Sequence, residues 1–145
     1  MSIFKGSILI VEGDESAKRM LLLMLSRECY YCVAVSTGRD ALDKCAVYDF
    51  DVVILDAMMP RTPVAELLPR LVGRCPETQF IVVEAMLDRE AIEESIRLGA
   101  CDYVTKPINI RDVVERVEAA VARKRLTVDK RQPPSSGTGR LAPWS

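Results

Sequence analysis

The chain has 145 residues, with hydrophobic side chains at 49%, charged ones at 28% and a formal net charge of -1. That length supports one core of ordinary domain size, and the near-neutral balance argues against a general binder of nucleic acid or anionic membrane. Histidine is absent, which excludes imidazole metal sites, Ser-His-Asp triads and a phosphohistidine donor, and leaves carboxylates, lysine and backbone to carry any chemistry.

The opening MSIFKGSILIVEGD lacks a signal peptide's long apolar segment and small-residue cleavage site, and no apolar run reaches the roughly 20 residues that span a bilayer. A cytoplasmic protein is expected. SILIV (7–11) reads as a buried strand that runs into Glu12, Gly13 and Asp14. Asp14 is a cap for the helical segment ESAKRMLLLMLSRE. Cys29 and Cys32 form a C-x-x-C between a helix end and a strand, with no second pair, and are assigned a structural role. The five cysteines, an odd number in apolar or helical stretches, suit reduced thiols.

CVAV (32–35) is the second strand, and Ser36 or Thr37 opens the helix GRDALDKCAVY. DVVIL (51–55) delivers Asp56. Thr62 followed by Pro63 opens AELLPRLVG, where Pro69 predicts an irregular or kinked helix. FIVV (80–83) delivers Glu84, Asp88 caps DREAIEESIRLG, and Gly99 closes that helix. After the short strand DYV (102–104) comes Lys106. Asn109 then caps INIRDVVERVEAAVARKRL, which carries Val113, Val114, Val117, Ala120 and Val121 on one face. Of these, Val113, Val117, Ala120 and Val121 suit a core, and equally an interface that would support a homodimer. From about Thr127 the sequence is rich in Pro, Gly and Ser, giving a domain over 1–125 and a disordered tail or linker stump over 126–145. The basic stretch RKRLTVDKR (123–131) fits a helix end leading into a linker better than a nucleic-acid contact.

Five strands alternating with five helices predict an α/β fold: a flavodoxin-like, doubly wound, five-stranded parallel sheet of order 2-1-3-4-5 with helices on both faces. Such sheets place sites beyond the carboxyl ends of their strands, where strand order reverses. The strand ends bring Glu12, Asp56, Glu84 and Lys106 toward one crevice. Carboxylates ~5 Å apart repel by about 3 kcal/mol per pair at an effective dielectric near 20, so a convergent set normally holds a cation. Oxygen ligands favour magnesium, manganese or calcium over zinc. The alternative is that these acids are solvated caps and loop residues.

VVILDAMMP (52–60) with GACDYVTKP (99–107), and ILIVEGDES (8–16) before them, resembles the receiver domain of two-component response regulators over roughly residues 5–124. The resemblance implies Asp56 as phosphoacceptor from a sensor histidine kinase or an acyl phosphate, and Lys106 as its partner before a cis Pro107. It implies Tyr103 as the switch aromatic, and Mg2+ held by Glu12, Asp56 and the backbone carbonyl of Met58. It further implies a conformational switch toward a downstream effector domain or protein through helix 4, strand 5 and helix 5. No enzymatic turnover is expected beyond self-catalysed phosphoryl transfer and autodephosphorylation. A phosphatase normally has an acid two residues after the nucleophile, where this chain has Met58.

Three positions depart from the family pattern. Glu12-Gly13 replaces a pair of aspartates, with Gly13 read as a turn residue in a ligand's seat, weakening Mg2+ by about 1–3 kcal/mol. Glu84 stands where a Thr or Ser hydroxyl is usual, and Val64 where glycine is frequent. Glu84 has two expected arrangements: an ion pair with Lys106, or a replacement metal ligand. The first favours a phosphorylation-independent pseudo-receiver acting as a protein interaction module.

Overall fold

A computed structural model describes residues 3–85 and 88–131. Strands β1 (Gly6–Val11), β2 (Tyr30–Val35), β3 (Val52–Asp56), β4 (Gln79–Glu84) and β5 (Asp102–Thr105) alternate with helices α1 (Glu15–Arg27), α2 (Gly38–Val47), α3 (Val64–Arg74), α4 (Arg89–Arg97) and α5 (Ile110–Arg131). The strands form one parallel sheet in the order β2-β1-β3-β4-β5, as expected from the alternation. Among the described residues no helix is long and apolar enough to cross a membrane.

Side-chain alternation along the strands divides the core into two layers. On one side of the sheet Leu9, Val11, Val53, Leu55, Phe80 and Val82 pack with Ala41 and Cys45 of α2 and Leu67, Leu68 and Leu71 of α3. On the other, Ile8, Ile10, Val52, Ile54, Ile81, Val83 and Val104 meet Leu21 and Leu25 of α1 and Val113, Val117, Ala120 and Val121 of α5. The α5 stripe is therefore core. Burying each such aliphatic side chain contributes roughly 1.5–3 kcal/mol, which is why the middles of β1, β3 and β4 are apolar on both faces.

The polar punctuation works as caps. Asp14 accepts from the Ala17 amide (3.1 Å), Thr37 from Asp40 (3.1 Å), Asp88 from Glu90 (3.0 Å) and Asn109 from Asp112 (3.2 Å). Gly99 has φ +123°, and a Cβ there would stand 2.8 Å from Val72 Cγ2, so both conformation and space require glycine.

Two expectations are corrected. The residue before α3 is Pro63, which offers no side-chain cap, so Thr62 does not start that helix. Pro69 lies inside that helix. Ala65 and Pro69 both lie on its exposed side, where water can take up the carbonyl that Pro69 leaves without a donor. Finally, α5 runs past Thr127 to Arg131 instead of giving way to a tail. Ahead of Thr127 the helix is fastened to the loop between α2 and β3: Lys124, only 6% exposed, reaches Asp51 (3.1 Å), Asp49 (3.3 Å) and the Phe50 carbonyl (3.3 Å). Arg125 donates to the Lys5 carbonyl (2.7 Å). The rest of the expected tail, 132–145, lies outside the described residues.

Candidate functional site

The same alternation that divides the core selects which strand-end side chains meet. Glu12, Asp56 and Lys106 each stand two residues beyond a side chain on the α1/α5 side, namely Ile10, Ile54 and Val104. They continue those rows past the edge of the sheet and emerge together. Lys106 Nζ lies 3.5 Å from Glu12 Oε2 and 3.7 Å from Asp56 Oδ2. The peptide bond to Pro107 is cis, as expected.

Backbone amides orient both acids. Asp14 N–H donates to Glu12 Oε2 (3.1 Å) and Met58 N–H to Asp56 Oδ1 (3.0 Å). Glu12 is fully buried and Asp56 is 5% exposed. Burial is the largest influence on Glu12 and, with the hydrogen bond and charge of Asp56, pushes its pKa up to about 7 against the pull of the Asp14 amide and Lys106. Glu12 Oε1 is buried and, as a carboxylate oxygen, has no donor. A proton or a cation there would satisfy it. Two carboxylates with an orphaned buried oxygen are chemically suited to a hard divalent ion, with one side-chain ligand fewer than an acid at position 13 would give.

Glu84 belongs to the opposite row. It follows Val82, which faces α2 and α3, and it pairs in register with Thr105, one residue before the lysine. Consequently Lys106 is turned away from it. Among the described residues no ion pair joins Glu84 to Lys106, and that expected arrangement is overturned. Nor is Glu84 gathered with the other two carboxylates: among the described residues no group of three or more Cys, Asp or Glu side chains is placed to hold a metal ion. The predicted convergence of three acids is thus a convergence of two. Glu84 is 7% exposed, and burial, followed by the charges of Asp88 and Asp56, raises its pKa. Asp88 was legible in sequence only as a cap; its place four residues after Glu84 was the available sign of this second effect.

Gly13 lies in the bend between β1 and α1. Its backbone is not in the left-handed region, and a Cβ would meet only ordinary contacts, 3.5 Å to Pro60 Cδ and 3.8 Å to Met59 Sδ. No turn conformation requires glycine there. The left-handed residue of the neighbouring β3–α3 loop is Arg61 (φ 72°). Met58 is 67% exposed at the rim. Tyr103 is half-buried on β5, beneath the guanidinium of Arg116 at 5.7 Å, and lines a cavity of about 380 Å³ with Arg89, Ile92 and Glu93 of α4.

The response regulator receiver domain family matches residues 8–118. A Bacillus subtilis (strain 168) protein, YkoG, described as an uncharacterized transcriptional regulatory protein, is 37% identical over 120 residues, covering 81% of this chain and 51% of its own length. The response regulator ArlR of Staphylococcus aureus is 32% identical over 117 residues, or 81% of this chain and 53% of ArlR. This chain therefore spans about half the length of these curated relatives. A CheY-like receiver domain protein from Methanospirillum hungatei JF-1 superimposes with a TM-score of 0.80 at 25% identity, over 84% of this chain and 98% of that one. With its five-stranded 2-1-3-4-5 sheet and its lysine set over two buried acids, the chain belongs to the response regulator receiver domain family of two-component systems.

Proposed function

We propose that Asp56 accepts a phosphoryl group in a phosphorelay and that the domain switches conformation in response. The observation that carries this reading is the placement of the Lys106 ammonium within ion-pair distance of Asp56 at the carboxyl edge of the sheet. An Asp56 carboxylate oxygen attacks phosphorus; the new O–P bond forms as the bond from phosphorus to the donor's imidazole nitrogen, or to an acyl oxygen, breaks. The donor imidazole is that of a sensor histidine kinase. Lys106 offsets the charge on the transferred group, while the Met58 amide fixes the attacking carboxylate. The hydroxyl that usually bonds the phosphoryl group is missing at position 84, and the Glu84 carboxylate repels it.

Glu12, Asp56 and the Met58 carbonyl would hold Mg2+. When bound, the ion neutralises the phosphoryl oxygens. The response passes to the face made by α4, β5 and α5, where Tyr103 sits, and from there to a downstream effector domain or protein. The domain works in the cytoplasm and has no further enzymatic activity beyond its own phosphorylation and dephosphorylation.

Incubation with Mg2+ and acetyl phosphate, followed by intact mass, tests this. A gain of about 80 Da that disappears in Asp56→Asn is expected. No gain under conditions that phosphorylate a control receiver would leave a phosphorylation-independent interaction module.

A further inference from the structure

At the edge of the sheet opposite Asp56, the last turns of α2 and α3 bring two thiols together. Cys45 is in α2 and only 6% exposed, and Cys75 caps the C-terminus of α3 with intermediate exposure. They are 30 positions apart in the chain, yet the Cys75 thiol donates to the Cys45 carbonyl at 3.5 Å. Burial, followed by the neighbouring Cys75 thiol, pushes the Cys45 pKa up to about 12. A surface cavity of about 330 Å³ opens onto the pair between Tyr48, Asp49, Arg74 and Pro76, so a small molecule can reach Cys75 from solvent. The other cysteines have no such arrangement. Cys29 is exposed, Cys32 donates to the Tyr30 carbonyl (3.7 Å), and burial raises the pKa of Cys101.

We propose that Cys45 and Cys75 form a reversible disulfide, closed by a hydroperoxide, that ties α2 to α3 on the side of the domain remote from the phosphoacceptor. Cys75 is the thiol that meets the oxidant. Its thiolate attacks one peroxide oxygen, the O–O bond breaks, and Cys75 becomes a sulfenic acid while hydroxide leaves. The Cys45 sulfur then attacks the Cys75 sulfur, the S–O bond breaks, and water departs with the Cys45 proton. Overall two thiols lose two electrons and two protons, and one peroxide becomes two waters. In a reducing compartment such a bond is transient, which suits a sensor better than a structural staple. Low exposure of Cys45 favours closure, because it limits access of competing thiols to its sulfur.

The test treats the whole chain with hydrogen peroxide, without metal or acetyl phosphate, and reads intact mass, peptide linkage and thermal melting. Expected are a loss of about 2 Da, a dithiothreitol-reversible peptide joining Cys45 to Cys75, and a Tm rise of about 10 °C from closing that loop. Cys75→Ser, at a half-exposed position, should keep the fold and show none of the three. Cys29→Ser/Cys32→Ser should behave as the parent chain. If Cys75 stops at the sulfenic or sulfinic acid, if the linkage maps to Cys29 and Cys32, or if peroxide leaves the mass unchanged, the disulfide is refuted. Because neither Asp56 nor Mg2+ enters the assay, its outcome is independent of phosphorylation.

Discussion

Replacing Gly13 with aspartate should restore a metal ligand at small structural cost. A Cβ at that position approaches Pro60 Cδ to 3.5 Å, Met59 Sδ to 3.8 Å and the Ser36 carbonyl to 4.0 Å, all ordinary van der Waals separations. The backbone there is open to any residue, so Gly13→Asp should fold. Without metal, a third acid beside Glu12 and Asp56 adds repulsion of about 3 kcal/mol per pair at ~5 Å and a dielectric near 20, reduced by Lys106 and by water at the exposed rim. With metal, one more charged oxygen ligand contributes about 1–3 kcal/mol, or roughly 5- to 150-fold in affinity. The variant should thus melt lower than the parent in chelator and gain more from Mg2+. Isothermal titration of both proteins with MgCl2, alongside melting curves at each concentration, measures the two effects separately. Equal Mg2+ affinities, within a factor of two, would refute the assignment of Glu12 and Asp56 to a metal site that position 13 completes.

Three further outcomes follow from packing and charge. Glu12 has a folded pKa near 7 against an ordinary value of 4.5, so its contribution to stability is fully present below pH 4.5 and is lost as pH rises through 7. The loss amounts to about 3 kcal/mol. Urea midpoints in metal-free buffer should fall across that window in the parent and stay level in Glu12→Gln; parallel slopes would contradict the burial argument. Lys124→Met removes the cation shared by Asp49, Asp51 and the Phe50 carbonyl and should cost about 2 kcal/mol, whereas a change below ~0.5 kcal/mol would mean that the end of α5 is held by apolar packing alone. Gly99→Ala forces a side chain into a left-handed residue and against Val72, and a destabilisation of about 2 kcal/mol or more is expected; a neutral substitution would show that the turn relaxes freely.

Much of the fold was legible because its signals are local. Each strand is a short aliphatic run, and Asp14, Thr37, Asp88 and Asn109 announce the helices that they cap. Where the reading failed, the deciding partner was distant or was not a side chain. The anchoring of α5 involves Lys124 finding Asp49, 75 positions away, and no local pattern records that. Pro69 is tolerated because the carbonyl it orphans faces water, a matter of which side of α3 is exposed. At the site, residue identities and chain order foretold that Lys106 stands beside Asp56. Glu84 does not join them because every strand end has two sides, and Glu84 stands on the other one. Counting back from Glu84 to Val82, and from Lys106 to Val104, would have separated them.

That counting by twos makes the crevice unusually sensitive to length. Deleting one residue between Asp102 and Lys106 would leave a sequence that still reads as a strand, yet the lysine would be delivered to the α3 side, next to Glu84 and away from both buried acids. Deleting two would keep it on the correct side but draw it back by about 6–7 Å, beyond reach of either carboxylate. Single-residue insertions and deletions in β1, β3 or β5 therefore invert the chemistry of this domain while leaving its hydropathy profile almost unchanged, and a chain shortened in this way would pass for an intact relative in any comparison that scores composition alone.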